Sequence, residues 1–370
     1  MPILKKVGTT HFCLQSVSYG SEPVVTYERK RTRTLRAQIA LAALAASLSW
    51  SQAAKADLSQ DCNQESDWNL RIAACTEVIR IETQTGADLA WAYHNRGVAF
   101  GRTGQHRQAI QDFDRAASLN PKLASIFSNR GIVYRLLGQD EQALEDFEQA
   151  LRIDPGFFNA YIGRGNLYLT LGKNRRAIQD YDQAIRLNSD LASAYSNRGI
   201  AYAQLKEYQQ AIQDYDRALR LDPDLAKTYS SRGDAYQALA QHKRAVQDYD
   251  KALKLDPENA GTNNKLAWAL YLTDRPAEGL SFVDRALRLR PNTYALLDTR
   301  AHILADLGRH DEARAEFEKA MSAGGPDWVR VYQRALQGHG YDPGVINGSY
   351  GTKTRRALED CLAAGCRLLE

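Results

Sequence analysis

The sequence contains few of the residues and motifs on which enzyme chemistry depends. Among its 370 residues there are two methionines and five cysteines. It has no P-loop, no dinucleotide-binding glycine motif, no nucleophile elbow and no zinc-ligand spacing. Paired carboxylates are frequent, but they recur at a fixed interval along the chain, which indicates a structural use. We therefore expect a protein that is not an enzyme, with no catalytic residues, no cofactor and no metal site.

Strong charge of one sign and long apolar runs are also absent. The formal net charge is +4, and it becomes −2 when residues 1–56, which hold eight Lys and Arg and two Asp and Glu, are left out. This balance excludes the basic surface that binding of nucleic acid or an anionic membrane requires. The Ala/Leu-rich stretch Ile39 to Leu48 is shorter than the roughly 20 residues of a membrane span. We expect neither a nucleic-acid partner nor a stable membrane span after cleavage.

The N-terminal region is typical of a secretory signal peptide. A basic run from Arg29 to Arg36 precedes the Ala/Leu-rich stretch, and Ala54 and Ala56 supply small residues for a cleavage site. We interpret residues 1–56 as an N-terminal extension and signal peptide, with cleavage after Ala56. The sequence thus predicts a protein exported to the periplasm or cell envelope of a bacterium. An uncleaved amphipathic anchor is the alternative.

Four cysteines follow the predicted leader, two near each end of the remaining chain. An exported protein favours disulfides, and the intervening chain favours the pairs Cys62–Cys75 and Cys361–Cys366. The second pair requires the chain to fold back, which Gly365 permits by ending a helix. Four buried free thiols are the alternative.

The central region is one pattern of 34 residues written seven times. The seven repeats begin at Ala90, Ala124, Phe158, Ala192, Ala226, Ala260 and Tyr294. A glycine position is occupied by Gly97, Gly131, Gly165, Gly199, Gly233, Ala267 and Ala301. Each repeat has two runs of helical period separated by a chain-breaking turn, and we expect the glycine to let alanines of the second run, such as Ala177 and Ala184, approach the first. A stack of such pairs predicts an all-α solenoid over residues 90–327.

The segment from Ala194 to Pro223 carries a family resemblance. It reads AYSNRGIAYAQLKEYQQAIQDYDRALRLDP and resembles a tetratricopeptide repeat in its Gly, Tyr, Ala and Pro positions. The resemblance implies a right-handed α-solenoid whose first helices line a concave groove that binds a protein or peptide partner.

Comparison among the repeats predicts an ion pair within each. The residue before the glycine position is arginine in six repeats, and an acidic residue follows it sixteen positions later. Repeat 6 changes both residues together, to Leu266 and Phe282. A second acidic position, two residues after the first, never changes, so we expect it not to pair with the arginine.

The family resemblance places the groove positions three before, one after and four after the glycine position. Those we select as partner-binding residues are His94, Arg135, Ile162, Asn166, Leu169, Ile200, Asp234, Trp268, Tyr271 and His302. The carboxylate clamp of co-chaperone members of the family is missing, because Ile162 occupies the position of its lysine. An apolar middle and an aromatic patch remain, and they suit an extended or helical peptide.

Both ends of the solenoid differ from the repeats. Residues 57–89 resemble the second helix of a degenerate repeat, capped at Ser66 or Asp67, and predict an N-terminal capping segment. Residues 328–370 resemble the small peptidoglycan-binding domain of cell-wall enzymes, with Thr354 expected to cap a helix. The residues that this resemblance offers for wall binding are Tyr341, Asp342, Asn347, Tyr350 and Arg355. A disulfide-stapled cap that binds nothing is the alternative.

The sequence as a whole predicts an exported scaffold or adaptor that binds a protein partner in its groove and is held at the cell wall by its C-terminal segment. Two alternatives stay open. One is a soluble periplasmic adaptor with a structural cap, and the other is a regulatory subunit of a cell-wall hydrolase.

Overall fold

The computed structural model describes residues 52–64, 66–81 and 89–368, and these residues form seventeen helices and no strand. The chain divides into an N-terminal unit and a larger second unit. Within the described ranges, no helix combines the length and the apolar character needed to cross a membrane. The predicted leader lies outside the described residues up to residue 51.

The described part of the N-terminal unit is a disulfide-linked helix pair. Helix α1 spans Gln52–Asn63 and α2 spans Trp68–Ile81. The Asp67 carboxylate accepts hydrogen bonds from two backbone N–H groups in the first turn of α2, both at 3.0 Å, which confirms the predicted cap. Cys62 and Cys75 form a disulfide with a Cα–Cα distance of 4.7 Å, as predicted. Helix α1 was not predicted, and it crosses the proposed cleavage site after Ala56.

The second unit contains the seven predicted helix pairs. The first helices are α3 Ala90–Arg102, α5 Ala124–Leu136, α7 Phe158–Thr170, α9 Ala192–Gln204, α11 Ala226–Ala238, α13 Ala260–Tyr271 and α15 Tyr294–Asp306. The second helices are α4 His106–Leu119, α6 Asp140–Ile153, α8 Asn174–Leu187, α10 Tyr208–Leu221, α12 His242–Leu255, α14 Pro276–Leu289 and α16 His310–Gly338. Each first helix packs on the second helix of its own repeat, and in repeats 2–7 it also packs on the second helix of the preceding repeat. The all-α solenoid of seven helix-turn-helix repeats is confirmed.

The glycine position receives an aromatic ring. A Cβ atom at Gly165 would lie 2.8 Å from a ring carbon of Tyr181, and Gly199 stands in the same relation to Tyr215, at 2.7 Å. Ala177 is fully buried as predicted. However, the aromatic ring, and not the alanine, occupies the space that a side chain at the glycine position would need. The sequence interpretation of the glycines is corrected accordingly.

The predicted arginine–carboxylate pairs are present in all six repeats that contain the arginine. The shortest intra-repeat distances are Arg96–Asp112 2.7 Å, Arg130–Asp146 2.6 Å, Arg164–Asp180 2.7 Å, Arg198–Asp214 2.6 Å, Arg232–Asp248 2.7 Å and Arg300–Glu316 3.2 Å. In repeat 6, Phe282 packs against the apolar cluster that contains Leu266. An apolar contact therefore replaces the ion pair there, as predicted.

The second acidic position also pairs with an arginine, and the sequence prediction for it was wrong. In four repeats its partner is the arginine of the following repeat: the pairs are Arg130–Asp114, Arg198–Asp182, Arg232–Asp216 and Arg300–Asp284. Where repeat 6 offers no arginine, Asp250 pairs with Lys254 at 2.7 Å instead. We call these contacts, within and between repeats, the arginine ladder.

The C-terminal segment shares its hydrophobic core with the last repeat. Helix α16 bends at Gly325, where φ is 71°, and its second half lies in the predicted segment 328–370. Helix α17, Thr352–Ala363, packs against that second half. One buried cluster joins Phe317 of repeat 7 to Tyr332 and Leu358 beyond the bend. The segment closes the end of the solenoid as part of its fold.

Candidate functional site

Seven of the ten predicted groove residues are half-buried side chains on first helices. They are His94, Arg135, Ile162, Asn166, Leu169, Ile200 and Trp268. Asp234 is exposed, whereas Tyr271 and His302 are buried. The predicted groove residues of repeats 1–6, apart from Tyr271, are therefore open to a partner. At the end of the groove, Tyr271 and His302 are covered.

Hydrogen bonds connect the groove residues of neighbouring repeats. The Oδ1 atom of Asn166 accepts from the Tyr181 hydroxyl at 2.7 Å and from Asn197 Nδ2 of the next repeat at 2.9 Å. Two repeats further on, Asp234 accepts from Tyr249 at 2.9 Å and from Lys265 at 2.7 Å. The rings that fill the glycine positions thus also fix the groove side chains.

Sequence reasoning missed the residues two positions before the glycine position. Asn129 donates to the His94 ring at 2.9 Å, and Asn197 and Lys265 make the contacts described above. The signal was available, because Asn95, Asn129 and Asn197 occupy the same position in three repeats.

An apolar cavity opens between the first helices of repeats 1 and 2. Its volume is about 280 Å³, and its lining includes Val98, Gly101, Phe113, Ile132 and Val133. At the position of Gly101, other repeats carry larger side chains such as Arg135 and Leu169. The cavity can take one apolar side chain.

The far end of the groove is closed by the C-terminal tail and by ring contacts. Tyr271 is 1% exposed and His302 is 3% exposed, so neither is accessible to a partner in this structure. The Arg367 guanidinium lies 5.0 Å from the ring centroid of Tyr271, and it also pairs with Asp306 at 3.2 Å. The His302 ring packs edge-on against Phe317, with the centroids 4.9 Å apart.

A carboxylate whose side chain is 13% exposed lies behind this closed end. Asp298 accepts a hydrogen bond from the Tyr332 hydroxyl and is 3.5 Å from His302 Nδ1. Burial raises the pKa of Asp298, although His302 and Tyr332 act in the opposite direction. The described residues include no group of three or more His, Cys, Asp or Glu side chains that could hold a metal ion. The cluster belongs to the core of the last repeat.

The predicted wall-binding residues lie in separate local contacts. The Tyr350 hydroxyl donates to Glu318 of α16 at 3.0 Å, and Arg355 lies 3.5 Å from the same carboxylate. Asp342 pairs with Lys353 at 3.3 Å, and its pKa is lowered by the backbone N–H of Gly344 and by that lysine.

Tyr341 packs against the C-terminal core, and Asn347 accepts a hydrogen bond from the backbone N–H of Ser349 at 2.8 Å. Tyr350 and Arg355 are thus brought together, but both are directed toward repeat 7.

Buried polar side chains hold the loop between α16 and α17. Gln333 donates to the carbonyls of Val345 and Ser349 and accepts from the backbone N–H of Gly348, at 3.0 to 3.2 Å. Thr354 was predicted to cap α17, but its hydroxyl donates to the Pro343 carbonyl at 2.9 Å. Helix α17 begins two residues earlier, at Thr352, without a side-chain cap.

The C-terminal disulfide agrees with the prediction. Cys361 and Cys366 are joined, with a Cα–Cα distance of 5.2 Å. Gly365 has φ of 70°, and the backbone N–H of Cys366 bonds to the Cys361 carbonyl at 3.0 Å. This reversal brings Arg367 back toward the groove.

Sequence families match most of the repeats. Three family models described as Tetratricopeptide repeat match residues 88–156, 192–225, 226–259 and 294–323, and one described as TPR repeat matches residues 165–206. These matches together cover just over half of the chain. They leave out residues 260–293, the repeat in which the arginine ladder is interrupted. No curated protein sequence matches the chain significantly.

Solved structures show the same fold at low identity. PilF of Pseudomonas aeruginosa is 19% identical with a TM-score of 0.54, covering 57% of this chain and 96% of that one. Cut9–Hcn1 of the APC/C is 18% identical with a TM-score of 0.54, covering 70% and 50%. YrrB, a TPR protein with an unusual peptide-binding site, is 19% identical with a TM-score of 0.44, covering 50% and 95%. At such identities the similarity shows the fold alone.

Proposed function

Because the chain belongs to the tetratricopeptide repeat family, we propose that it is a non-catalytic adaptor that binds a protein or peptide partner in the groove of repeats 1–6. The observation that carries this proposal is the row of half-buried apolar side chains Ile162, Leu169 and Ile200 along adjacent first helices. Apolar side chains that are partly open to solvent and flanked by polar groups suit a peptide ligand.

We further propose that the adaptor acts in the periplasm or cell envelope. The basic and Ala/Leu-rich leader supports export. The two disulfides support an oxidising compartment, because such bonds rarely persist in the cytosol.

Site-specific photo-crosslinking tests the groove. A photo-reactive amino acid at position 162 is expected to form a covalent adduct with a discrete protein partner in intact cells. The same group at position 183, an exposed glutamine on the second helix of the same repeat, is the control. Equal adducts from both positions, or none from position 162, would contradict partner binding in the groove.

For the C-terminal segment we propose closure of the solenoid, with wall attachment as the second role. Closure is supported by the core that the segment shares with Phe317 and by the contact of Tyr350 with Glu318. Wall attachment is supported by the resemblance and by the exposed Asp342 and Asn347. Truncation would expose the shared core, so point variants are the better probe.

Sedimentation with purified peptidoglycan separates the two roles. If the protein sediments and the variant Asp342→Ala, Asn347→Ala does not, the segment binds the wall. If the protein stays in solution with peptidoglycan present, the segment serves closure alone.

A further inference from the structure

Arg135 differs from the arginines of the ladder in having no partner. Its Nε atom is buried without a hydrogen bond, and the side chain forms no ion pair with any described residue. Each ladder arginine, by contrast, contacts one or two carboxylates. The side chain is half-buried and its guanidinium is always charged, so the buried N–H group gains from an acceptor. Its position among the groove residues suits an acceptor that a ligand supplies.

The groove residues of the neighbouring repeat offer a further donor. The pKa of Tyr181 is raised by burial and by Asp180, and the positive charge of Arg135 acts against both. The Tyr181 hydroxyl donates to Asn166 Oδ1, which also accepts from Asn197. Because Oδ1 receives both donors, Nδ2 of Asn166 is the group that faces outward, and it has no partner among the described residues. An N–H donor and a guanidinium on the first helices of adjacent repeats are suited to a carboxylate.

The charge of the groove residues also favours an acidic ligand. The groove positions of repeats 1–4 hold no acidic residue: they are His94, Val98, Gly101, Ser128, Ile132, Arg135, Ile162, Asn166, Leu169, Ser196, Ile200 and Ala203. The acidic groove residues Asp234 and Asp298 lie in later repeats. The half of the groove that contains Arg135 is therefore basic and apolar, and it is complementary to an acidic and apolar segment.

We propose that repeats 1–4 recognise an extended peptide segment in which an acidic side chain stands between apolar side chains. The carboxylate binds the Arg135 guanidinium and the Nδ2 group of Asn166. The apolar side chains lie on Ile162, Leu169 and Ile200 and enter the cavity beside Gly101. This inference rests on the proposed function, because it names the chemistry of the partner that the groove takes.

A selection from a random-peptide display library, with the purified full chain as bait, tests the inference. Selected peptides are then synthesised, and their affinities are measured by fluorescence anisotropy against the protein and its variants. The decisive variant is Arg135→Gln, and its matched control is Arg186→Gln, an exposed arginine whose Nε bonds only to Gln183. Circular dichroism and the urea midpoint of unfolding establish that both variants are folded.

The expected result is enrichment of peptides with Asp or Glu among apolar residues. Their affinity should fall about 10- to 100-fold in Arg135→Gln, since a charge-assisted hydrogen bond in a site that partly excludes water contributes that much. It should be unchanged in Arg186→Gln. The variant Arg135→Glu should instead select peptides with Lys or Arg, an inversion that loss of structure would not produce.

The contrary results separate the two proposals. If the selected peptides carry no acidic residue, or if Arg135→Gln binds them as well as the parent does, the inference is overturned. The adaptor function still stands in that case when Ile162→Asp abolishes binding. If Ile162→Asp and Arg135→Gln both leave binding unchanged, the groove is not the binding surface, and both proposals are overturned.

Discussion

The arginine ladder can be tested by giving repeat 4 the apolar pair that repeat 6 already uses. Arg198 donates to the two oxygens of Asp214 at 2.7 and 2.6 Å and to Asp182 at 2.5 Å. The corresponding residues of repeat 6 are Leu266 and Phe282. The variants Arg198→Leu and Asp214→Phe and the double variant therefore form a double-mutant cycle. The double variant has the residue pair that repeat 6 already contains.

Arg198→Leu should be the most destabilising of the three variants. It leaves Asp214, whose side chain is 8% exposed, without its main partner. Burial already raises the pKa of Asp214 even while the hydrogen bonds from Arg198 lower it. Removing one partner of a fully buried pair costs about 3–5 kcal/mol. Since Arg198 is partly exposed, we expect a loss of about 2–3 kcal/mol in the free energy of unfolding.

The double variant should recover much of this loss. Asp214→Phe alone should cost about 1–2 kcal/mol, because Arg198 keeps Asp182 and its contact with water. In the double variant neither charge is left unpaired in the core, so the two changes should be non-additive by about 2–3 kcal/mol, which leaves a net loss of about 1–2 kcal/mol.

Urea unfolding monitored by circular dichroism measures the cycle. Repeat proteins do not always unfold in one step, so hydrogen exchange of the α9 and α10 amides is measured as well. Arg186→Leu, at an exposed arginine, is the control for loss of charge. Additivity of the two substitutions within about 0.5 kcal/mol would refute the role assigned to the pair.

Three further predictions concern the C-terminal core and the thiols. Because burial raises the folded pKa of Asp298 above the ordinary value of 3.8, its ionisation costs stability as the pH rises through the raised pKa. Asp298→Asn should therefore flatten the decline in unfolding free energy above about pH 4, as urea midpoints measured across pH would show, and an unchanged decline would contradict this. Gln333→Leu should cost about 2–4 kcal/mol in urea unfolding and speed exchange of the Gly348 amide, because it leaves buried loop groups unpaired. Gln337→Leu, exposed one turn later, should change stability by less than about 0.5 kcal/mol, and equal effects would contradict the network. Alkylation of denatured, unreduced protein should detect no thiol if the leader is cleaved and both disulfides form, and one thiol, Cys13, if the leader is kept; four or more would exclude the disulfides.

The repeats made much of the fold predictable, because they provide an internal comparison. Arg198 and Asp214 have counterparts that change together in repeat 6, and a joint change indicates a contact. The second carboxylate, Asp182, offers no such signal, because its position is acidic in every repeat. Its partner across the repeat boundary became visible only in the structure.

The repeat pattern gives the position of each predicted groove residue along its helix but not its accessibility. Ile162 and Asn166 lie at half-buried positions of the first helix of repeat 3. The same pattern could not reveal that Tyr271 is covered, because the covering residue, Arg367, lies far along the chain. A contact between residues so far apart in the sequence cannot be detected from a 34-residue repeat pattern.

The ladder also bears on how the length of this protein can change during evolution. Loss of residues 192–225 would bring Asp182 next to Arg232, in the place that Asp216 now occupies. Duplication of the same segment would supply each new arginine with both of its carboxylates. The junctions before and after repeat 4 carry the same arginine–carboxylate contact, so a whole repeat can be added or removed here by recombination without loss of that contact. The groove residues of each copy can then diverge, while the arginines and carboxylates that join the repeats stay the same.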